Sequence, residues 1–200
     1  MAMPAQSASG PTAEVVWTRQ HVLDLMGRTS EHWPRYELVD GELLVTPAPR
    51  PAHQWMHGLL MTRLAHYALG HGVGMVLSAP ADVSLDPERR SLLQPDIFVV
   101  PPRRGAPADW REVDSLRLVV EILSPSTALH DRTIKRRYYQ QHGATEYWLV
   151  DLDQRCVERW RPRDEAPEVL RDAIEWQPEP SLPALVIDLR ALFREVMPAE

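Results

Sequence analysis

The sequence predicts an α/β protein: one domain with a central mixed β-sheet flanked by helices. Three observations carry this. Apolar segments of strand length alternate with segments of helical period along the chain. Asp40-Gly41 stands between two apolar runs, a strong short-range signal for a hairpin. Leu116–Leu123 is an almost unbroken apolar strand, the pattern of a strand covered on both faces. The 200 residues are 44% hydrophobic and 25% charged, which suits one compact soluble domain. The domain is expected over 15–197. Residues 1–14, which are small, polar and proline-bearing, are expected to form a disordered tail.

Taken in order, residues Val15–Gly27 carry apolar positions suited to a short helix closed by Gly27. Tyr36–Val39 and Glu42–Val45 form the predicted hairpin, and Pro47, Pro49 and Pro51 end it. Met56, Leu60, Leu64 and Tyr67 recur at helical spacing, so a long helix is expected over His53–His71 with Gly72 beyond it. Met75–Leu85 reads as extended, and Pro95–Val100 as a short buried strand closed by Pro101-Pro102. A polar loop, Arg103–Asp114, leads to the Leu116–Leu123 strand. Ser124–Thr127 then turns the chain into a helix that Gly143 stops near His142. Tyr147–Val150 and Cys156–Trp160 make a second hairpin. The chain closes with Glu168–Glu175, a strand at Ala184–Ile187 and a helix from Leu189 to Val196.

Composition narrows function. No apolar run reaches the ~18 residues of a membrane span, and the first residues lack the basic and apolar regions of a secretory signal. The lone cysteine, Cys156, excludes an internal disulfide and a multi-cysteine zinc site. A cytoplasmic protein with no membrane partner is expected. The net charge of −6 argues against a basic nucleic-acid-binding surface overall and leaves room only for a local arginine groove. Of the 22 basic residues, Lys135 alone is lysine. A codon bias toward arginine explains most of that ratio. A lysine that survives such a bias is a candidate for a role that arginine's planar fork cannot fill.

The chemistry concentrates on two carboxylates and this lysine. Glu121 lies inside Leu-Val-Val-Glu-Ile-Leu, where burial demands that it be paired, protonated or metal-bound. Asp96 opens a second apolar strand directly after Pro95. Two acidic residues on adjacent buried strands make a hard-oxygen site suited to Mg²⁺ or Mn²⁺. Unpaired, they repel, so a neutral amide at either position is expected to hold or raise stability in the absence of metal. Glu121 stands ~7 Å back along its strand from the turn. Lys135 stands ~10 Å back along the helix that follows, so the two meet at one level between layers. Two other arrangements compete: Glu121 capped by amides or an arginine, and Lys135 at the surface in an i,i+4 pair with Asp131.

These residues also carry a resemblance. Glu-Leu-Val-Asp-Gly-Glu (37–42), His53, Gln94-Pro95-Asp96, Val120–Thr127, Asp131, Lys135 and Gly143–Asp151 resemble the Uma-two family of restriction-endonuclease domains over roughly 15–190. That family is similar to the PD-(D/E)xK nuclease superfamily, which implies a restriction-endonuclease-like fold. The usual lysine position, two after Glu121, is Leu123 here, and Lys135 fits the variant with its lysine on the following helix. The resemblance implies metal-assisted hydrolysis of phosphodiester bonds in DNA by a homodimer. Asp96, Glu121 and a neighbouring backbone carbonyl would hold the metal, with Glu42 as an outer ligand. Lys135 would stabilise the nucleophile or phosphate, and its replacement by Met is expected to slow the reaction without disturbing the core.

Lesser candidates are His53, as a substrate contact, and Arg136, as a phosphate contact beside the rings of Tyr138 and Tyr139; the favoured arrangement of that helix turns the tyrosines to the core and the arginines to water. His53 and His57 have zinc-ligand spacing, but residue 54 is Gln, where a zinc protease has glutamate. The alternatives to a nuclease are a nucleic-acid-binding or interaction protein that keeps the fold without cutting.

Overall fold

The computed structural model describes residues 16–28 and 33–197; the expected tail, 1–14, lies outside them. Helix α1 (Arg19–Met26) is capped by Thr18, whose side chain accepts from the His21 N–H. Strands β1 (Arg35–Val39) and β2 (Glu42–Thr46) form the first hairpin. At its turn Asp40 and Gly41 both have positive φ, 51° and 85°, as a tight two-residue turn requires. Helix α2 (Pro51–His71) begins with proline in its first turn and ends at Gly72, which is left-handed.

Strands β3 (Met75–Ser78), β4 (Ile97–Val100), β5 (Leu118–Ile122), β6 (Tyr147–Asp151), β7 (Cys156–Trp160) and β8 (Glu168–Leu170) form one sheet in that order. Only the β5–β6 pair is parallel. Parallel neighbours need a crossover, and here it is helical: α3 (Ala128–His130), a π-helical turn (Asp131–Lys135) and α4 (Arg136–Gln141). A separate hairpin of β9 (Ala173–Trp176) and β10 (Leu185–Asp188) leads into α5 (Leu189–Val196). The extended run predicted to Leu85 is shorter than expected. Strand β3 stops at Ser78, before Pro80, and Val83 makes only an isolated bridge to Leu93.

The sheet is covered on both faces, and residue parity decides which side chain meets which helix. Leu118, Val120 and Ile122 pack with Met56, Leu60 and Leu64 of α2 and with Leu192 and Phe193 of α5. Val119 and Leu123 point the other way, toward Tyr138 and Tyr139 of α4. Glu121 shares their parity, so the sheet aims it at the crossover helix. The tyrosines are fully buried, which assigns them to this core and not to a stacking surface.

Gly74 shows how tightly the sheet starts. Its φ is 139°, and a Cβ there would meet the Val100 carbonyl oxygen at 2.1 Å. Gly74→Ala should therefore lower stability by more than ~1 kcal/mol, read as an earlier urea midpoint. An unchanged midpoint would show that this entry to β3 is not constrained.

Candidate active site

Strands β4 and β5 pair through Ile97–Val120, and one step further the register sets Asp96 opposite Glu121. There side chains replace the backbone ladder. The Ile122 N–H donates to Asp96 Oδ2 (2.9 Å), and the Asp96 N–H donates to Glu121 Oε2 (3.3 Å). Each carboxylate thus binds the opposite strand, which fixes both at the sheet's opening.

Lys135 arrives from the crossover. The Arg136 N–H donates to the Asp131 carbonyl, a wide i→i+5 turn of the kind that recurs at functional sites. Both side chains bounding this turn, Asp131 and Lys135, are buried. The ammonium lies 2.8 Å from Glu37 Oε2, 3.1 Å from Glu121 Oε1 and 3.2 Å from Asp131 Oδ1. The ammonium thus faces three carboxylates, and its hydrogen bond goes to Glu121 Oε1. Glu37 comes from the first hairpin, which docks through a Leu38–Leu92 bridge, and its Oε1 accepts from the Gln94 N–H at 2.8 Å. On the other side of Asp96, Arg35 Nη2 contacts Oδ1 at 3.2 Å and His53 Nε2 contacts Oδ2 at 3.1 Å. His57 Nε2 lies 3.1 Å from the Asp96 carbonyl oxygen.

The electrostatics divide the two central acids. Burial raises the Asp96 pKa, but His53, Arg35 and the Ile122 N–H outweigh it and hold the carboxyl well below its ordinary value. Burial also raises Glu121. Lys135 opposes that rise, but Asp96, Asp131 and Glu37 add to it, so Glu121 titrates well above an ordinary glutamate. Burial lowers Lys135, yet Glu121, Glu37 and Asp131 more than reverse it and keep the ammonium charged. One acid is thus held ionised while its neighbour favours its proton, a division that marks functional sites.

Asp96, Glu121, Lys135 and His53 therefore come together, on the wall of a cavity of about 180 Å³. Glu42 does not join them. It opens β2 opposite Val39, at the hairpin turn, with its side chain 54% exposed and 3.8 Å from His130. Arg136 is also elsewhere, stacked 4.6 Å over Trp160 and bonded to Gln140. The Asp131–Lys135 pair exists but is buried, so it does not carry the lysine to solvent. Sequence reasoning gave Glu37 and Arg35 no role. Glu37 carries the signal that singled out Glu121, a carboxylate inside an apolar strand, but in a hairpin of alternating pattern it reads as a solvated position.

Two expectations about stability change as well. Asp96 is bound by Arg35, His53 and Ile122, so an amide there loses charge-assisted bonds instead of relieving repulsion. Lys135 is too deeply buried for its removal to leave the core undisturbed.

Whether a divalent cation fits can be read from the same atoms. Four buried carboxylates, Glu37, Asp96, Glu121 and Asp131, face two permanent cations, Lys135 and Arg35. The donors are hard oxygens, and the excess negative charge is what a divalent ion relieves. His53 Nδ1 is buried without a partner among the described residues. No three His, Cys, Asp or Glu side chains among those residues already stand in a metal-holding arrangement, since Arg35, His53 and Lys135 engage the carboxylates first. The donor set fits in kind, and a metal would have to exchange with these partners.

A mixed six-stranded sheet with acids from two adjacent strands and a lysine from the crossover helix defines a restriction-endonuclease-like α/β protein. The chain belongs to the Uma2 family, described as "putative restriction endonuclease", whose model matches residues 20–190. Its fold is similar to the crystal structure of a "putative nuclease belonging to DUF820" from Anabaena variabilis. That likeness has a TM-score of 0.65 at 20% identity and covers 88% of this chain and 99% of the other. No curated protein matches. Among the described residues, no helix is long and apolar enough to cross a membrane.

The lysine gives a direct test. Lys135→Met leaves three carboxylates buried without their shared cation, which should cost about 3–5 kcal/mol at neutral pH. Without the ammonium, which opposes the rise that burial causes in Glu121 and Asp131, both carboxyls titrate still further above their unfolded values. The variant's deficit relative to wild type should then be smallest in acid and grow as pH rises through those values. Adding Glu121→Gln should recover part of the loss. Chemical denaturation across pH checks this, and a pH-independent deficit would contradict it.

Proposed function

We propose that this chain is a divalent-metal-dependent endonuclease that hydrolyses phosphodiester bonds of DNA. The observation that carries this reading is the meeting of Asp96 and Glu121 across β4 and β5, beside a solvent-reached cavity with more buried carboxylate than cation. Membership of a restriction-endonuclease-like family supports the reaction class. Asp96, Glu121 and the backbone carbonyl of Ile122 would hold Mg²⁺ or Mn²⁺. Such an ion lowers the pKa of a bound water and offsets charge on the attacked phosphate.

The chain's own residues account for the rest. Lys135 directs its ammonium at Glu121 and its two neighbours, so it acts through Glu121, favouring the ionised form that a ligand must have. It is a positioning residue. Arg35 and His53 do the same for Asp96. At the rim, Arg50 and the hydroxyls of Ser124, Ser126 and Thr127 offer donors for phosphate oxygens, a local patch consistent with an acidic protein. Hydrolysis adds the oxygen of water to phosphorus and returns a proton to the departing sugar oxygen.

A second reading has its own observation: Asp96 is already engaged by Arg35 and His53, which favours a nucleic-acid-binding protein that keeps the fold and does not cut. One assay separates the two. Wild-type protein with Mn²⁺ or Mg²⁺ should cleave DNA, and chelation should stop it. Asp96→Asn and Glu121→Gln should each lose at least ~10²-fold in rate, the size of one lost electrostatic contact to the transition state. Arg136→Ala, remote from the cluster, should cut normally. DNA binding without cleavage under any divalent ion would establish the second reading.

A further inference from the structure

Arg35, His53 and Asp96 line a second, larger cavity of about 640 Å³, so these three residues form a partition between it and the carboxylate cluster. The larger chamber is built differently. Trp33, Tyr36 and Trp110 supply aromatic surface, and Gln54, His57 and Asp82 supply polar groups. Three features point to one occupant. The Arg35 guanidinium lies 4.9 Å over the Trp33 ring, so a flat cation and a flat ring already stack at the partition. Trp110 is braced edge-on by Phe98, with ring centroids 6.1 Å apart. Asp82 is held by the Gln94 amide at 2.9 Å, which fixes a carboxylate acceptor on the chamber wall. Aromatic faces with a few fixed polar groups suit a planar heterocycle, and the volume is ample for one nucleoside.

Resting on the nuclease reading, we propose that this chamber receives an unpaired nucleobase of the DNA strand whose phosphate lies at the Asp96–Glu121 cluster. The base stacks on the tryptophans, the sugar passes the Arg35–His53 partition, and the edge of the base meets Asp82, Gln54 and His57. A base in a duplex is stacked and paired, so it cannot enter without being extruded. The preferred substrate is therefore single-stranded DNA or a locally opened duplex.

The test uses a short single-stranded oligonucleotide and a set of copies, each with one abasic site at a different position. Affinity is read by fluorescence anisotropy in Ca²⁺, with strand integrity checked on a gel. At one position the abasic copy should bind on the order of ten-fold more weakly than the intact strand, the loss of one base–aromatic stack. Duplex DNA should bind more weakly than single-stranded DNA. Trp110→Ala should erase the abasic penalty. Because Trp110 also packs on Phe98, Gln54→Trp, at an exposed helix position that can fill the chamber mouth, should erase it independently. Glu121→Gln should keep it. The proposal is overturned if every abasic copy binds like the intact strand, if both chamber variants weaken intact and abasic strands equally, or if no oligonucleotide binds. Failure of the nuclease reading is distinct: wild-type protein would then show the abasic penalty and still not cut in Mg²⁺ or Mn²⁺.

Discussion

One buried ammonium organises this protein's site. Lys135, 3% exposed, meets carboxylates from three separate parts of the fold: Glu37 from the first hairpin, Glu121 from the central strand and Asp131 from its own helix. Removing so many charges from water is costly, and only close pairing offsets it. The hairpin, the strand and the crossover must therefore hold their relative positions, or buried charges lose their partners. The π-helical turn belongs to the same constraint, because Asp131 and Lys135 bound it and both are buried.

Around this centre the sheet does the positioning. Strand parity sends Glu121 toward the crossover helix while its neighbours Val120 and Ile122 face α2 and α5. Where the β4–β5 ladder stops, Asp96 and Glu121 take over its hydrogen bonds. Their environments then separate them: donors surround Asp96, and other carboxylates crowd Glu121. A protein cation or a proton can balance this charge, and so can a divalent ion, which links folding to the proposed chemistry. The same partition of Arg35 and His53 that steadies Asp96 also borders the aromatic chamber, so phosphate and base recognition would share a wall.

Much of the fold was legible in the sequence because its signals are local. The Asp40-Gly41 turn, the period of Met56, Leu60 and Leu64, and the apolar Leu118–Ile122 run broken only by Glu121 each specify one element without tertiary information. The contact between Glu121 and Lys135 was legible too, since rise per residue along a strand and a helix fixes their relative level. Glu37 was not, because its burial comes from the docking of the hairpin at Leu92, a contact that alternation within the hairpin does not encode. Asp131 stayed ambiguous for a similar reason: an i,i+4 pair reads the same at the surface and in the interior. Glu42 and Arg136 looked plausible by adjacency alone, and adjacency does not determine which way a side chain points.

The central claim is that the carboxylate cluster is a divalent-ion site whose occupancy is coupled to a proton on Glu121. Calorimetric titration of the protein with Mn²⁺, in buffers of different ionisation enthalpy, measures that coupling as protons released per ion bound. The Glu121 carboxyl titrates above its ordinary range, so it keeps its proton until pH passes that raised value, and an ion that binds the carboxylate must expel it. Proton release should be greatest below that raised value and fall as pH rises through it, and affinity should rise with pH over the same interval. Glu121→Gln should bind Mn²⁺ weakly and release no proton. Equal affinity in the wild type and Glu121→Gln, with no proton released by either, would contradict the account.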